Sequence, residues 1–249
     1  ARAALTTDAM SDDKKKGALC LQEGGPEAKR MKKAVSSYRG AKVPASFALE
    51  SGSLLVGRFG ASQAKKKKLA AFDFDGTLCQ HQFGKALTAS VFAHAGAVLK
   101  GLRDEGYALA VLTNESLDRL KNPAPIQKAI DTKVHRLCTW LYDNDLDDIL
   151  VLVALSKKDE SDFHKSKGHG MWRYAAKELL LDEPPPLETF FVGDSDDDRN
   201  LANSAGITFH HVDTFFGDLH PPAAAAAAAG NKKDHHHGRK EQEEQEQTS

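Results

Sequence analysis

Apolar residues in this chain fall into short blocks, separated by stretches in which they recur at helical spacing. "SLLVGRF", from Ser53, reads as an edge strand and "LAAFDF", from Leu69, as a buried one. "SVFAHAGAVLKGLRDEG" fits a helix stopped by Gly106. "YALAVLTNE" is a second buried strand. "IQKAIDTKVHRLCTWLYDN" places Ile130, Val134, Leu137 and Leu141 on one helical face. "DDILVLVALS", "ETFFVGDS" and "ITFHHV" read as further strands, and "GMWRYAAKELLL" and "RNLANSAG" as helices, the last closed by Gly206. Strands alternating with helices predict an α/β fold, Rossmann-like, with a mostly parallel sheet and helices on both faces. Ligands of such sheets bind beyond the carboxyl ends of the strands.

The flanks lack this pattern. Residues 1–48 are rich in Lys, Ala, Gly and Ser without sustained periodicity and are expected to form a disordered basic arm. The folded domain is expected over 49–220, and 221–249 reads as a low-complexity tail of poly-Ala, a His235 to His237 triplet and a Glu/Gln stretch. The net charge of −1 conceals a split: residues 1–68 hold 15 Lys/Arg and 6 Asp/Glu, whereas 69–220 hold 15 and 24. A basic arm on an acidic body predicts a polyanionic partner, a nuclear address, or both. "KKK" from Lys14 and "KRMKK" from Lys29 resemble a bipartite nuclear-localisation signal, which makes the nucleus the expected location; a solvated charge run is the alternative. No apolar run is long enough to span a bilayer and no secretory h-region is present, so no membrane is expected. Cys20, Cys79 and Cys138 are scattered without a CxxC, which argues for a reducing compartment and against a structural zinc site.

The chemistry gathers at strand ends. Asp73 and Asp75 flank Phe74 and precede Gly76 and Thr77. Two residues apart on an extended chain, the two carboxylates are expected on the same side, and Gly76 suits a sharp turn at positive φ. The second strand ends in Thr113 and Asn114, a loop with Lys165 and Lys167 follows the third, and the fourth ends in Asp194 with Asp198 beyond it. Singly these are turn formers, a helix cap and surface lysines. Together they place a hydroxyl, a cation and four carboxylates at one edge. Carboxylates so crowded call for a hard divalent cation, and the all-oxygen set suits Mg²⁺. A carboxylate could then attack a phosphoryl group and form an acyl phosphate, while Lys165 and Thr113 hold the non-bridging oxygens.

"DFDGTL", "LTN", a later lysine and "GDSDDD", in that order, resemble the haloacid-dehalogenase-like (HAD-like) phosphatases. The resemblance implies Asp73 as nucleophile and Asp75 as general acid and base. It implies Mg²⁺ held by Asp73, the Asp75 main-chain carbonyl and Asp194, with Asp198 in support. Thr113 and Lys165 would bind the transferring phosphate, and Gly76, Thr77, Asn114, Arg119 and Lys167 would complete the substrate site. "TNESLDRLKN", "DTKVHRL", "GMW", "VGDS" and "VDTFF" are similar to the polynucleotide 3′-phosphatases of DNA repair, nearest the plant type, over residues 50–217. Zinc-finger cysteines and a GxxxxGK[ST] motif are missing, so no 5′-kinase activity is expected. The family's proline before "GMW" is absent and one residue is added there, which leaves Lys167 as an alternative to Lys165.

Only 34 residues separate Leu78 from Thr113, too few for a strand, a helix and a sizeable cap domain. A capless, open site suits a bulky DNA terminus. The expected activity is Mg²⁺-dependent removal of 3′-phosphates from DNA strand breaks, with DNA-repair proteins as further partners. A phosphatase of small metabolites such as histidinol phosphate or sugar phosphates is the alternative, and a non-catalytic DNA-end module a third reading. Arg119, Lys121, Lys167, Arg173 and the run Lys65 to Lys68 are expected to meet DNA phosphates. Trp172 either stacks on a base or, the preferred reading, packs in the core.

Overall fold

The computed structural model describes residues 37–60, 64–82, 84–181 and 188–217. The two basic clusters of the arm, the poly-Ala run and the His235 to His237 triplet lie outside the described residues. The strands are β1 Ser37–Tyr38, β2 Ala41–Lys42, β3 Phe47–Glu50, β4 Leu54–Phe59, β5 Lys68–Phe72, β6 Tyr107–Asn114, β7 Ile149–Ala154, β8 Thr189–Gly193 and β9 Thr208–His211. The helices are α1 Ala95–Asp104, α2 Pro123–Asp143, α3 Gly170–Leu179, α4 Asp196–Ala205 and α5 Val212–Gly217.

β3 to β9 form one sheet in the order β3-β4-β7-β6-β5-β8-β9. Pairing is parallel from β7 through β9, and antiparallel for β3–β4 and β4–β7. The alternation of side chains along each strand feeds two cores. Ala70, Phe72, Leu109 and Val111 pack with Leu99 of α1, Ile130 and Leu137 of α2 and Phe216 of α5. Leu69, Ala71, Ala110 and Leu112 pack with Met171 and Trp172 of α3 and Leu201 of α4. Helices therefore cover both faces, as a central parallel sheet requires. Gly206 ends α4 in the left-handed conformation, at φ +69.

Two expectations are corrected. β4 is no edge strand: it lies between β3 and β7, and Leu54, Leu55 and Val56 are completely buried. The boundary at residue 48 falls inside β3, and the β1–β2 hairpin lies before it. That hairpin docks on α2: Lys42 N–H donates to Gln127 Oε1 at 2.5 Å, and Gln127 Nε2 returns a bond to the Lys42 carbonyl at 3.0 Å. Short two-residue strands carry no periodicity, so their order comes from the surface they dock on.

β6 and β8 lie on opposite sides of β5, so the chain order reverses at β5–β8. A crevice opens outside the carboxyl ends of the strands at such a reversal. Among the described residues nothing larger than loops and one helix is inserted between β5 and β6 or between β6 and β7. No described helix is long and apolar enough to cross a membrane.

Candidate active site

Asp73 leaves β5 directly into the crevice, its N–H bonded to the Val192 carbonyl of β8 at 2.9 Å. The chain then stops being extended. The Leu78 and Cys79 N–H groups turn back onto the Phe74 carbonyl at 3.1 and 2.9 Å, and Phe74 is buried edge-on against Trp140. Gly76 makes this turn possible: it sits at φ +84, and any Cβ there would strike the Asp194 carboxylate.

The turn gives the two aspartates different cationic partners. Asp73, Asp194 and Asp198 each offer a carboxylate oxygen, all lying within 4.8 Å of one another. Lys165 Nζ is buried among them, 2.6 Å from Asp73 Oδ1 and 2.5 Å from Asp198 Oδ1. The remaining oxygen of Asp198 is used locally, in a capping box with Ser195 that starts α4. Thr77 Oγ donates to Asp194 Oδ1 at 3.3 Å. Asp194 is the exposed member of the trio, so the cluster opens to solvent on its side.

Asp75 instead faces α2. Its carboxylate is held by Lys133 Nζ and by Arg136 Nη1, the latter at 2.5 Å from Oδ1. Lys133 also donates to Thr113 Oγ1 at 2.9 Å and to the Asn114 carbonyl at 3.2 Å. Arg136 is anchored further by the carbonyls of Leu87 and Gln80, at 2.7 and 2.8 Å. Both cations are buried, with side chains 1% and 5% exposed.

These settings act on the acids in opposite directions. Burial, reinforced by the charge of Asp198, outweighs Lys165 and pushes Asp73 up to about 7. Burial would raise Asp75 too, but Lys133 and Arg136 overcome it and hold the acid at about 2. Burial and Asp198 raise Asp194 as well. Lys165 is driven well above the usual lysine range, because the attraction of Asp73 and Asp198 exceeds the cost of burial.

The structure thus brings Asp73, Thr77, Lys165, Asp194 and Asp198 into one cluster, with Asp75, Thr113 and Asn114 in the adjoining one through Lys133. Asn114 also ties the lysine loop down, its Oδ1 accepting from the Lys165 N–H at 3.3 Å. Other expected residues lie elsewhere. Lys167 Nζ reaches the backbone carbonyl of Asp159, away from the acids. Arg119 is exposed on the loop after β6. Arg173 pairs with Asp162 at 3.0 Å. Trp172 is 2% exposed and belongs to the core. Lys65 to Lys68 sit at the amino end of β5, on the opposite rim of the sheet, where Lys68 pairs with Glu188.

Lys133 and Arg136 carry no expectation from the sequence, yet a signal existed. Lys133 stands three residues after Ile130 and four before Leu137, inside the apolar face of α2. A lysine on a buried face needs a buried anion, and Asp75 is that anion.

Comparison with known proteins places this geometry. The model of the family described as polynucleotide kinase 3 phosphatase matches residues 68–236. The chain belongs to this family. As a phosphatase of the polynucleotide kinase 3 phosphatase family, it is 30% identical over 169 residues to polynucleotide 3′-phosphatase ZDP of Arabidopsis thaliana. That match covers 60% of the chain and 24% of the relative, so the chain spans about a quarter of the relative's length. A HAD-like phosphatase structure from Mesorhizobium loti superposes with a TM-score of 0.50 at 20% identity, covering 64% of this chain and 78% of that one. The fold of this family member is accordingly that of the HAD-like phosphatases.

Proposed function

We propose that the protein is a Mg²⁺-dependent polynucleotide 3′-phosphatase that acts on 3′-phosphorylated DNA ends. The observation that carries this reading is the pairing of a carboxylate trio, two of its members buried, with two buried phosphate-competent cations, Lys165 and Lys133, in a crevice open to solvent. Family membership supports the chemistry, and the named activity of the plant relative supports the substrate.

Three carboxylates around one point, all oxygen donors and one of them solvent-exposed, fit a hard divalent cation. Asp73 and Asp194 would hold it, with the Asp75 carbonyl, and Asp198 would support them from α4. When bound, Mg²⁺ neutralises the clustered carboxylates and the phosphoryl oxygens that approach them.

The chain's own groups then divide the work. A 3′-phosphate entering the crevice meets Lys165 and the Lys133–Thr113 pair, which can exchange carboxylate partners for phosphoryl oxygens. Asp73 attacks phosphorus: its oxygen bonds to phosphorus as the bond from phosphorus to the 3′-oxygen breaks. Asp75, having taken a proton from solvent as the bound phosphate draws Lys133 away, passes that proton to the departing 3′-oxygen. A water then attacks the aspartyl phosphate, passing its proton to Asp75, and inorganic phosphate leaves. Asp75 is ionised while both cations hold it, as a base for the water step. Phosphate drawing Lys133 away raises its proton affinity for the acid step.

A role in DNA strand-break repair, repair proteins as partners and a nuclear location follow from this reading as further proposals. The deciding experiment compares kcat/KM for a 3′-phosphorylated oligonucleotide with that for a small phosphate ester, with Mg²⁺ and with EDTA. The oligonucleotide is expected to win, and EDTA to stop both reactions. Preference for the small ester would transfer the protein to metabolite phosphatases.

A further inference from the structure

A second concavity lies on the same rim of the sheet. It has a volume of about 400 Å³ and is bordered by Tyr38, Arg39, Ser51, Ser53, Ser156 and Lys158. Ser156 follows β7 and Ser53 precedes β4, whose first residue Leu54 pairs with Ala154, the last of β7. Ala154 in turn pairs with Asn114 at the active-site end of β6. The concavity therefore stands two to four strands from β5, about 10–20 Å from Asp73 at ordinary strand spacing.

Its walls are two hairpin tips. Tyr38 pairs with Ala41 across Arg39 and Gly40, which lie at φ +46 and +82. Ser51, Gly52 and Ser53 join β3 to β4, the first two at φ +49 and +78. At the two-residue turn of Arg39 and Gly40, Asn-Gly or Gly-Gly is favoured, since positive φ strains a longer side chain. The chain nevertheless puts an arginine there. Arg39 is 43% exposed, lies over the Tyr38 ring at 5.2 Å, and touches Asp118 at 3.3 Å. Asp118 does not depend on it, being held also by Ser156 Oγ at 2.6 Å and the Lys157 N–H at 2.7 Å. A guanidinium has five N–H donors, so Arg39 keeps donors for another anion. Among the described residues the Tyr38 hydroxyl, buried at this wall, makes no hydrogen bond of good geometry, with the Ser156 hydroxyl as its polar neighbour. Lys158 is exposed on the loop after β7. The hairpin lies before residue 68, where the family match begins.

We propose that this concavity is a polynucleotide subsite: it seats the strand a few nucleotides upstream of the 3′-terminal phosphate, with Arg39 and Lys158 on its phosphodiesters. The inference rests on the polynucleotide reading above. The span from Asp73 matches a few nucleotides, since a stacked strand carries one charge per roughly 3.4 Å. Ser53 and Ser156 donate to Asp159 and Asp118, so the Arg39 guanidinium over Tyr38 and the Lys158 ammonium make the contacts; neither reads base identity, and binding is sequence-tolerant.

The test uses 3′-phosphorylated oligonucleotides from dinucleotide to decamer and p-nitrophenyl phosphate, on the wild type, Arg39→Gly and Lys158→Ala. For the wild type, kcat/KM should climb with length until the strand reaches the concavity and then level off. Each variant should raise KM for the decamer by roughly 5- to 10-fold, the weight of one charged contact. Their kcat and their p-nitrophenyl phosphate turnover should not move. Their salt dependence should flatten by about 0.7 in log–log slope per lost contact. Arg39→Gly separates binding from structure, since removing a side chain from positive φ should leave Tm equal or higher. Wild-type KM for the decamer in both variants would overturn the subsite while leaving the polynucleotide reading intact. A wild type that prefers the small ester would instead remove the polynucleotide reading, and the subsite with it.

Discussion

Asp73 and Asp75 carry the same side chain two residues apart, yet the fold gives them opposite electrical surroundings. Asp73 shares one lysine with a second carboxylate, and burial leaves its acid near 7. Asp75 is held by both a lysine and an arginine, and its acid lies near 2. Both are largely buried, so burial does not separate them. The ratio of cations to carboxylates within reach does. That ratio suits one aspartate to complete a cation site and attack phosphorus, and the other to exchange protons once phosphate has loosened its clamp.

The sharpest way to break this contrast is to neutralise each acid in turn. Asp73→Asn should remove turnover altogether, with the fold intact by circular dichroism; more than about a hundredth of wild-type activity would dismiss it as nucleophile. Asp75→Asn should lose about 10²- to 10⁴-fold, the usual weight of general acid–base catalysis. It should also leave a trappable aspartyl phosphate that Asp73→Asn never shows.

Lys133→Met tests the clamp. Removing one partner of a buried ion pair should cost about 3 kcal/mol in urea unfolding. It should also raise the acid of Asp75, and hence move the acidic limb of the pH–rate profile upward. An unmoved limb would mean that Asp75 does not set it.

The trio predicts a linkage of opposite sign. Because folding raises the acid of Asp73, its contribution to stability is complete below the unfolded carboxylate range and is lost as pH climbs through about 7. Without divalent cation, Tm should therefore fall between pH 5 and pH 8. Mg²⁺ should restore it by something on the order of 5 °C at pH 8, and by less at pH 5. Equal Mg²⁺ shifts at both pH values would contradict the trio as the binding site. The smallest effect belongs to Lys167, which faces Asp159: Lys167→Ala should stay within about twofold of wild-type kcat, whereas Lys165→Ala should not.

Much of this was legible along the chain. The strands β5 to β9 and helices α1 to α4 follow from apolar blocks, helical spacing and glycine stops, with ends displaced by a few residues. The residues of the trio and its lysine were legible too, because ligands of parallel sheets gather at strand ends. Other features were not. The β1–β2 hairpin is too short to show a period. β4 looked like an edge because its partner β3 straddles the boundary that composition drew for the arm. The different partners of the two aspartates were hidden as well, because α2 supplies the cations of one and the loop after β7 the lysine of the other.

The sequence alone determined which chemical groups exist and at which strand ends they emerge, since periodicity and turn residues are local properties. Only the tertiary structure decided which charge meets which. Lys133 and Arg136 lie some sixty residues from Asp75, and no local rule connects them. Packing α2 against the sheet brings them together, and at such short range and low solvent access the pairing sets the charge state of the acid.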